Sequence, residues 1–480
     1  MEIKDLLINY KENLREAFKV LDKIGSGVLF VVDEAQKLVG VITDGDIRRF
    51  LLSKMDLEVE ISTIMNTDYV SLPISVDNTK ILEKINNRIK IIPLLDEEGK
   101  IVDYASIKRL RKIPISSPLL EGNELLYLTE CIKTNWISSQ GKYVRSFEKL
   151  FKDSHEEYEA LAVSNGTVAI HLALEALGVG KGDEVIVPDL TFAASINAII
   201  YTGATPVLVD VEKDSFNIDF DKSEAFITDK TKAIMPVHLY GQSCDMDKLA
   251  ILVKKYNLLV IEDCAEALGS LYNNRPVGVF GDAATFSFFG NKTITTGEGG
   301  MVLFKDTTVA KKAAVLRDHG MSKERRYWHD FVGYNYRLTN IQAAIGVAQF
   351  ERLSTFVNAK RNLAKIYSET LNKYAFFQTP IEKEGTFNSY WLYTFLVKEE
   401  APFKREALID FLNNKGIETR PVFYPLHIMP PYSNYGVKEN LKISANISTT
   451  GVSLPSSVNL SELEAKHICS CISEFVNSYI

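Results

Sequence analysis

A lysine just past a β-strand can do covalent chemistry that a lysine on open surface cannot. Lys292 closes the run Ser287-Phe288-Phe289-Gly290-Asn291-Lys292, which is poor in other charges, and the turn-rich Thr295-Thr296-Gly297-Glu298-Gly299-Gly300 follows it. Desolvation or neighbouring cations would strip the proton from its amine and let it condense with a carbonyl as a Schiff base. A solvated surface lysine is the other reading of that run alone. Upstream, Leu258-Leu259-Val260-Ile261-Glu262-Asp263-Cys264-Ala265-Glu266 ends an apolar strand in acids. A desolvated carboxylate needs a cationic or hydrogen-bonding partner. A protonated pyridine nitrogen is one such partner for Asp263; a strand-end cap or a metal ligand are the alternatives. Further upstream, Ser164-Asn165-Gly166-Thr167 opens a helix with apolar Val168, Leu172, Ala173, Ala176 and Leu177, stopping at Gly178. The unpaired N–H groups of a helix start suit a phosphate, although an N-cap with a tight turn has the same look.

The elements that must position these residues read as an α/β pattern. Apolar strands are expected at Leu161–Val163, Glu184–Val187, Pro206–Val209, Ala233–Val237, Leu258–Ile261, Ala284–Phe288 and Met301–Phe304. Helical segments, including Val168–Leu177 and Asp247–Tyr256, fall between most of them. Strands interleaved with helices imply a mostly parallel central sheet covered on both faces. In such sheets ligands bind beyond the carboxyl ends of the strands, which is where the three motifs lie.

The order of the motifs is phosphate turn, aromatic strand-end segment (Pro188-Asp189-Leu190-Thr191-Phe192-Ala193-Ala194-Ser195), acidic strand end, then Ser-x-x-x-x-Lys. From about residue 119 to 480 the chain resembles the DegT/StrS group of sugar aminotransferases, which are fold-type I enzymes dependent on pyridoxal 5'-phosphate (PLP). The resemblance implies a large PLP-binding domain over 119–355, a small C-terminal α+β domain over 356–480, and a homodimer with shared active sites, open to higher assembly. It implies that Lys292 bonds the cofactor and later moves the proton, and that Asp263 pairs with the pyridine nitrogen. Glu266 would lie near the ring hydroxyl or the substrate. Gly166, Thr167 and Ser287 would hold the phosphate, and Phe192 would stack on the ring. Asn335, in Gly333-Tyr334-Asn335-Tyr336-Arg337-Leu338-Thr339-Asn340, matches an asparagine that reaches the phosphate from the neighbouring subunit; turn chemistry is its other reading.

Relatives with histidine in place of the lysine are sugar dehydratases, so Lys292 points to transamination. The implied partners are L-glutamate as amino donor and a nucleotide-linked keto sugar as acceptor. The stretches 135–141, 236–241, 317–321 and 327–330 resemble the branch of the family acting on GDP-4-keto-6-deoxymannose for surface polysaccharide; UDP- and dTDP-linked 4-keto sugars are the alternatives. His238, Arg325, Arg326, His329 and Arg420 are candidate substrate contacts. Structural hydrogen bonds, a solvated basic turn or a structural ion pair are the competing readings. A PLP-binding dehydratase or isomerase on the same scaffold is a further one.

Residues 1–112 carry an internal repeat. Phe30-Val31-Val32-Asp33-Glu34, Lys37 to Thr43 and Ile47-Arg48-Arg49 are echoed by Pro93-Leu94-Leu95-Asp96-Glu97, Lys100 to Ser106 and Ile107-Lys108-Arg109. Each copy reads as strand, acidic turn, strand and basic helix start, with a helical stretch before it near 14–21 and 79–86. This resembles a tandem pair of CBS motifs, a module that often binds adenine nucleotides. In Gly40-Val41-Ile42-Thr43-Asp44-Gly45-Asp46 the resemblance implies Thr43 and Asp46 as nucleotide contacts. The second copy lacks the Asp44-Gly45-Asp46 equivalent, so at most one intact nucleotide site is expected, and a purely structural or dimer-forming appendage is the alternative. A nucleotide-responsive regulator with a subordinate PLP half is the corresponding reading of the whole chain. Residues 113–118, with two prolines and two serines, read as a linker.

The bulk composition bounds the partners. At 480 residues two or three domains are expected. A formal net charge of -7 disfavours nucleic acid or an anionic membrane surface as partner. The five cysteines and seven histidines show neither a disulfide framework nor metal-ligand spacing, so no metal is expected. Without a signal-like N-terminus or a membrane-length apolar run, the expected compartment is the cytoplasm.

Overall fold

The computed structural model describes residues 3–76, 78–86, 88–106, 112–436 and 440–480, with the side chains of residues 78 and 79 outside the description. They form two compact units: Met1–Ile113 with Asp410–Glu418, and Pro114–Ile409 with Thr419–Ile480.

The larger unit is built on a seven-stranded sheet. Its strands are β1 (Glu159–Val163), β2 (Glu184–Pro188), β3 (Thr205–Val209), β4 (Thr231–Ile234), β5 (Leu259–Asp263), β6 (Ala283–Ser287) and β7 (Gly300–Phe304), in the spatial order β1-β7-β6-β5-β4-β2-β3. All neighbours pair parallel except β7, which runs antiparallel to both β6 and β1. Side-chain alternation along the strands divides the core. Val185, Val187, Leu208, Ala233 and Ile261 pack with helices α1 (Gly166–Ala176) and α2 (Ala193–Tyr201). Ile186, Val209, Ile234 and Val260 pack with α3 (Met246–Tyr256). Both sheet faces are therefore covered, and the near-continuous apolar strands follow from that.

The C-terminal part adds a four-stranded sheet of Phe377–Gln378, Tyr393–Val397, Gly451–Leu454 and Arg420–Pro421, all antiparallel pairs. Its long helix α4 (Leu353–Leu371) packs along the helix Glu462–Asn477. No helix of the described residues is long and apolar enough to cross a membrane.

In the smaller unit the sequence repeat is a structural repeat. Leu7–Asn9 pairs parallel with Val28–Val32, which pairs antiparallel with Leu38–Thr43; Leu72–Pro73, Ile91–Leu95 and Ile101–Ser106 repeat that order and orientation. Even the register shifts coincide, at Val31/Val32 and Leu94/Leu95. The second basic helix start, Ile107-Lys108-Arg109, lies outside the described residues.

The expected linker over 113–118 is firmly held. Ile113 and Ile115 are 2% and 1% exposed. The Ile113 N–H donates to the Gly416 carbonyl at 2.8 Å and its carbonyl accepts from Glu418 N–H at 2.9 Å. Within the larger unit, Ser456 N–H donates to the Ile115 carbonyl, and Ser117 N–H to Ser457 Oγ. Proline and serine do oppose regular structure here, but the two isoleucines between them are apolar anchors.

Candidate active site

Four strand ends and helix starts converge. β5 ends at Asp263, which is 4% exposed. Its Oδ2 accepts from Ser195 Oγ at 2.8 Å, and its Oδ1 from Ala265 N–H at 3.1 Å. Ser195 lies in the first turn of α2 and is itself 3.0 Å from Thr191 Oγ1. Burial pushes the Asp263 carboxyl above the usual carboxylate range; the Ser195 and Ala265 hydrogen bonds and the charges of Lys292 and His238 oppose it. Two neutral donors do not compensate a buried charge fully, so the site suits one more cation.

Three residues on, Glu266 is raised by burial too, opposed first by the charge of Lys292. Its Oε2 accepts the N–H of Tyr240 at 3.0 Å, and its Oε1 lies 3.5 Å from Lys292 Nζ. Tyr240 adopts φ +54°, the left-handed region, a strained conformation for an aromatic residue that aims its N–H at the acid. Lys292 Nζ also sits 3.8 Å from the ring centre of Trp391.

The phosphate turn meets β6 at close quarters. A Cβ on Gly166 would fall 2.9 Å from Ser287 Cβ and 3.2 Å from its Oγ, so only glycine lets the start of α1 lie against Ser287. The Asn165 side chain caps the helix through Val168 N–H at 3.0 Å. With Thr167 in the first turn and the Ser287 hydroxyl alongside, the donor set is that of an anion cradle. A phosphate cradle, an amine and a buried acid lacking a full counter-cation fit the phosphate, aldehyde and ring nitrogen of PLP. Phe192, 59% exposed at the N-cap of α2, begins an aromatic row. Its ring lies 5.9 Å from Phe423, which lies 5.8 Å from Tyr240, itself 6.0 Å from Trp391.

The family model for DegT/DnrJ/EryC1/StrS aminotransferases matches residues 118–473. The chain belongs to that family. Within the family, the chain is 49% identical over 366 residues to a GDP-perosamine synthase of Escherichia coli O157:H7, covering 76% of this chain and 99% of that one. It is 46% identical over 365 residues to the Vibrio cholerae GDP-perosamine synthase, again covering 76% and 99%. A candidate sugar aminotransferase of Streptococcus pneumoniae in its PLP form superposes with TM-score 0.73 at 28% identity, covering 77% of this chain and all of that one. The N-terminal unit matches the CBS domain model over residues 3–53 and 61–115. The protein is a PLP-dependent sugar aminotransferase of this family with a CBS pair in front.

The remaining expected site residues lie on other segments, that of Asn335 running beside the phosphate turn. Asn335 is exposed, on a segment whose next residue, Tyr336, accepts Ser164 N–H at the end of β1. Arg325 and Arg326 are exposed and lie over Trp328 and Tyr327, and exposed His329 has Nδ1 2.9 Å from the His319 carbonyl. Among the described residues no hydrogen bond or ring contact joins these three to Lys292. Arg420 lies exposed in the strand Arg420–Pro421.

His238 is a correction. It is fully buried, its Nδ1 accepting Cys244 N–H at 3.0 Å and its Nε2 3.1 Å from Glu262 Oε2, so neither ring nitrogen is left for a sugar. Glu262, His238 and Cys264 are close enough to suggest a metal cluster. Glu262, however, already accepts the N–H groups of Gly278, Phe280 and Gly281; it caps a loop. In the CBS unit, Thr43 and Asp46 cap the helix Asp44–Ser53 reciprocally, and Arg49 binds the other Asp46 oxygen at 2.5 Å.

Ser195 and Tyr240 fall in stretches marked by the sequence but with no role of their own there, and Trp391 lies outside every such stretch. Ser195 was findable, because it lies one turn after Phe192 on a helix start. Trp391 lies about a hundred residues beyond Lys292, and nothing local marks it.

Proposed function

We propose that the protein transfers the amino group of L-glutamate to C4 of GDP-4-keto-6-deoxymannose, giving GDP-perosamine for surface polysaccharide (O-antigen) synthesis. The observation that carries the sugar assignment is the 46–49% identity across 99% of the length of two GDP-perosamine synthases. The observation that carries the chemistry is Lys292 poised beside two buried acids.

Bound at this site, PLP supplies an aldehyde that accepts amino groups and a ring that spreads the electrons left by proton removal. Lys292 Nζ would hold the cofactor covalently and would be the base that moves the proton. Asp263 would pair with the protonated ring nitrogen, and Ser195 orients that carboxylate. Gly166, Thr167 and Ser287 would hold the phosphate, and Phe192 would stack on the ring. Glu266 lies on the hydroxyl or substrate side.

In this reading the protein is a homodimer in which Asn335 of each subunit reaches its partner's phosphate. Leu125, Leu126, Trp136, Phe289, Phe331 and Val332 are exposed, and side chains of this kind would be covered in such a dimer. Arg325, Arg326, His329 and Arg420 are left as contacts for the anionic sugar nucleotide. The CBS pair binds a nucleotide at its first copy, where the ligand competes with the Thr43–Asp46 cap.

The test is purified full-length protein with PLP, L-glutamate and a panel of GDP-, UDP- and dTDP-linked 4-keto sugars, read by mass spectrometry. Amination of the GDP sugar in preference to the others is expected, since transamination installs nitrogen where a dehydratase or isomerase does not. Amination of only a UDP or dTDP sugar overturns the substrate; no amination overturns the reading. Repeating the assay with added adenine and guanine nucleotides tests the CBS part.

A further inference from the structure

Lys360 carries a buried amine outside the site described. It lies on α4, is 2% exposed, and its Nζ donates to the carbonyls of Ser456 at 2.6 Å and Trp391 at 3.1 Å. Among the described residues no acid pairs with it. Trp391, 4% exposed, is fixed on its other side as well. Its indole N–H donates to the carbonyl of Asn291 at 2.7 Å, which also accepts from Ser116 Oγ at 3.3 Å, and its ring stacks at 12° on Tyr240. Asn291 is the residue before Lys292. The tryptophan therefore holds the backbone from which the reactive lysine springs and faces its amine at 3.8 Å.

A lysine side chain has four flexible carbons, so an amine released from a covalent bond disperses unless something confines it. Here confinement comes from two sides, Glu266 Oε1 at 3.5 Å and the indole face; an aromatic face attracts an ammonium. We propose that Trp391 is a positioning residue for Lys292, keeping its amine at the reaction centre whenever it is not bonded to the cofactor, with Lys360 anchoring the tryptophan. Burial of Lys360 with carbonyl partners alone brings its pKa down to about 7, in keeping with a group retained for its hydrogen bonds.

The inference rests on Lys292 being the residue that takes up PLP, and the experiment separates the two. Cofactor-free protein is mixed with PLP, and capture by Lys292 is followed by stopped-flow absorbance as the amine displaces the aldehyde oxygen, which leaves as water. Pyridoxine 5'-phosphate, which has no aldehyde, measures the integrity of the pocket by equilibrium binding. Trp391→Leu is expected to slow capture about tenfold or more while the affinity for pyridoxine phosphate stays within about twofold. Trp391→Phe, which keeps a ring face, captures within about threefold of the native rate. Wild-type capture in Trp391→Leu overturns the assignment, as does a parallel loss of pyridoxine phosphate affinity, which makes Trp391 a wall of the pocket. Should the leucine variant not fold, Lys360→Met carries the comparison: slower capture at unchanged affinity supports the anchor, and unchanged capture overturns it. If the native protein captures no PLP, the reading of Lys292 fails instead.

Discussion

At the scale of single residues, the site divides into groups that do chemistry and groups that hold them. Lys292 is of the first kind. Lys292→Ala is expected to lose the cofactor's yellow absorbance and to lower turnover at least about a thousandfold, since among the described residues no other amine lies against Glu266. Residual activity near native would sink the site. Asp263→Asn keeps the volume but not the charge, so PLP still binds while turnover falls about a hundredfold, because the ring loses its electron-sink character; a native rate would remove Asp263 from its role. Gly166 is of the second kind. Gly166→Ala puts a methyl 2.9 Å from Ser287 Cβ, and the expected result is weaker PLP binding by about tenfold, read by titration, with the fold intact. The types of these residues were legible in the sequence because each lies beside its own strand end. Tyr240 and Trp391 were not, because their roles come from a backbone conformation and a distant loop.

At the scale of elements, the strands were legible because burial on both sheet faces made them apolar runs, and strand ends came within a residue or two. Val237 is the exception: β4 ends at Ile234, and Val237 meets Asp263 only as an isolated bridge. The boundary between the two units falls inside the expected linker, between Ile113 and Pro114; what composition did not report is burial, since Ile113 and Ile115 are buried by partners far along the chain. Helix α4 offers a thermodynamic test. Lys360 has a folded pKa of about 7 against an ordinary 10.5. Between those values the unfolded chain binds a proton that the folded chain does not, so stability rises with pH across that window; below about 7 both states are protonated and the burial penalty is full. Lys360→Met removes this dependence. The native protein is expected to gain on the variant by about 1.4 kcal/mol per pH unit between pH 7 and 10, at most. Urea midpoints at pH 7, 8 and 9 measure it; parallel curves for the two proteins would show that Lys360 keeps its proton throughout.

At the scale of the whole molecule, a net charge of -7 excludes little about an anionic substrate, because a local cradle of helix N–H groups and a lysine overrides the average field. What the proposed homodimer adds is a second subunit at each site. In the proposed homodimer the exposed Asn335 of one subunit serves the cofactor held by Lys292 of the other. That arrangement makes a prediction independent of any single mutation. Lys292→Ala and Asn335→Ala proteins, each weak alone, are unfolded together and refolded as a mixture. Random pairing makes half the dimers mixed, and each mixed dimer carries one site with both defects and one with none, so about a quarter of native activity returns. Sites made within one chain recover nothing beyond the sum of the two variants, because every site then keeps its own defect.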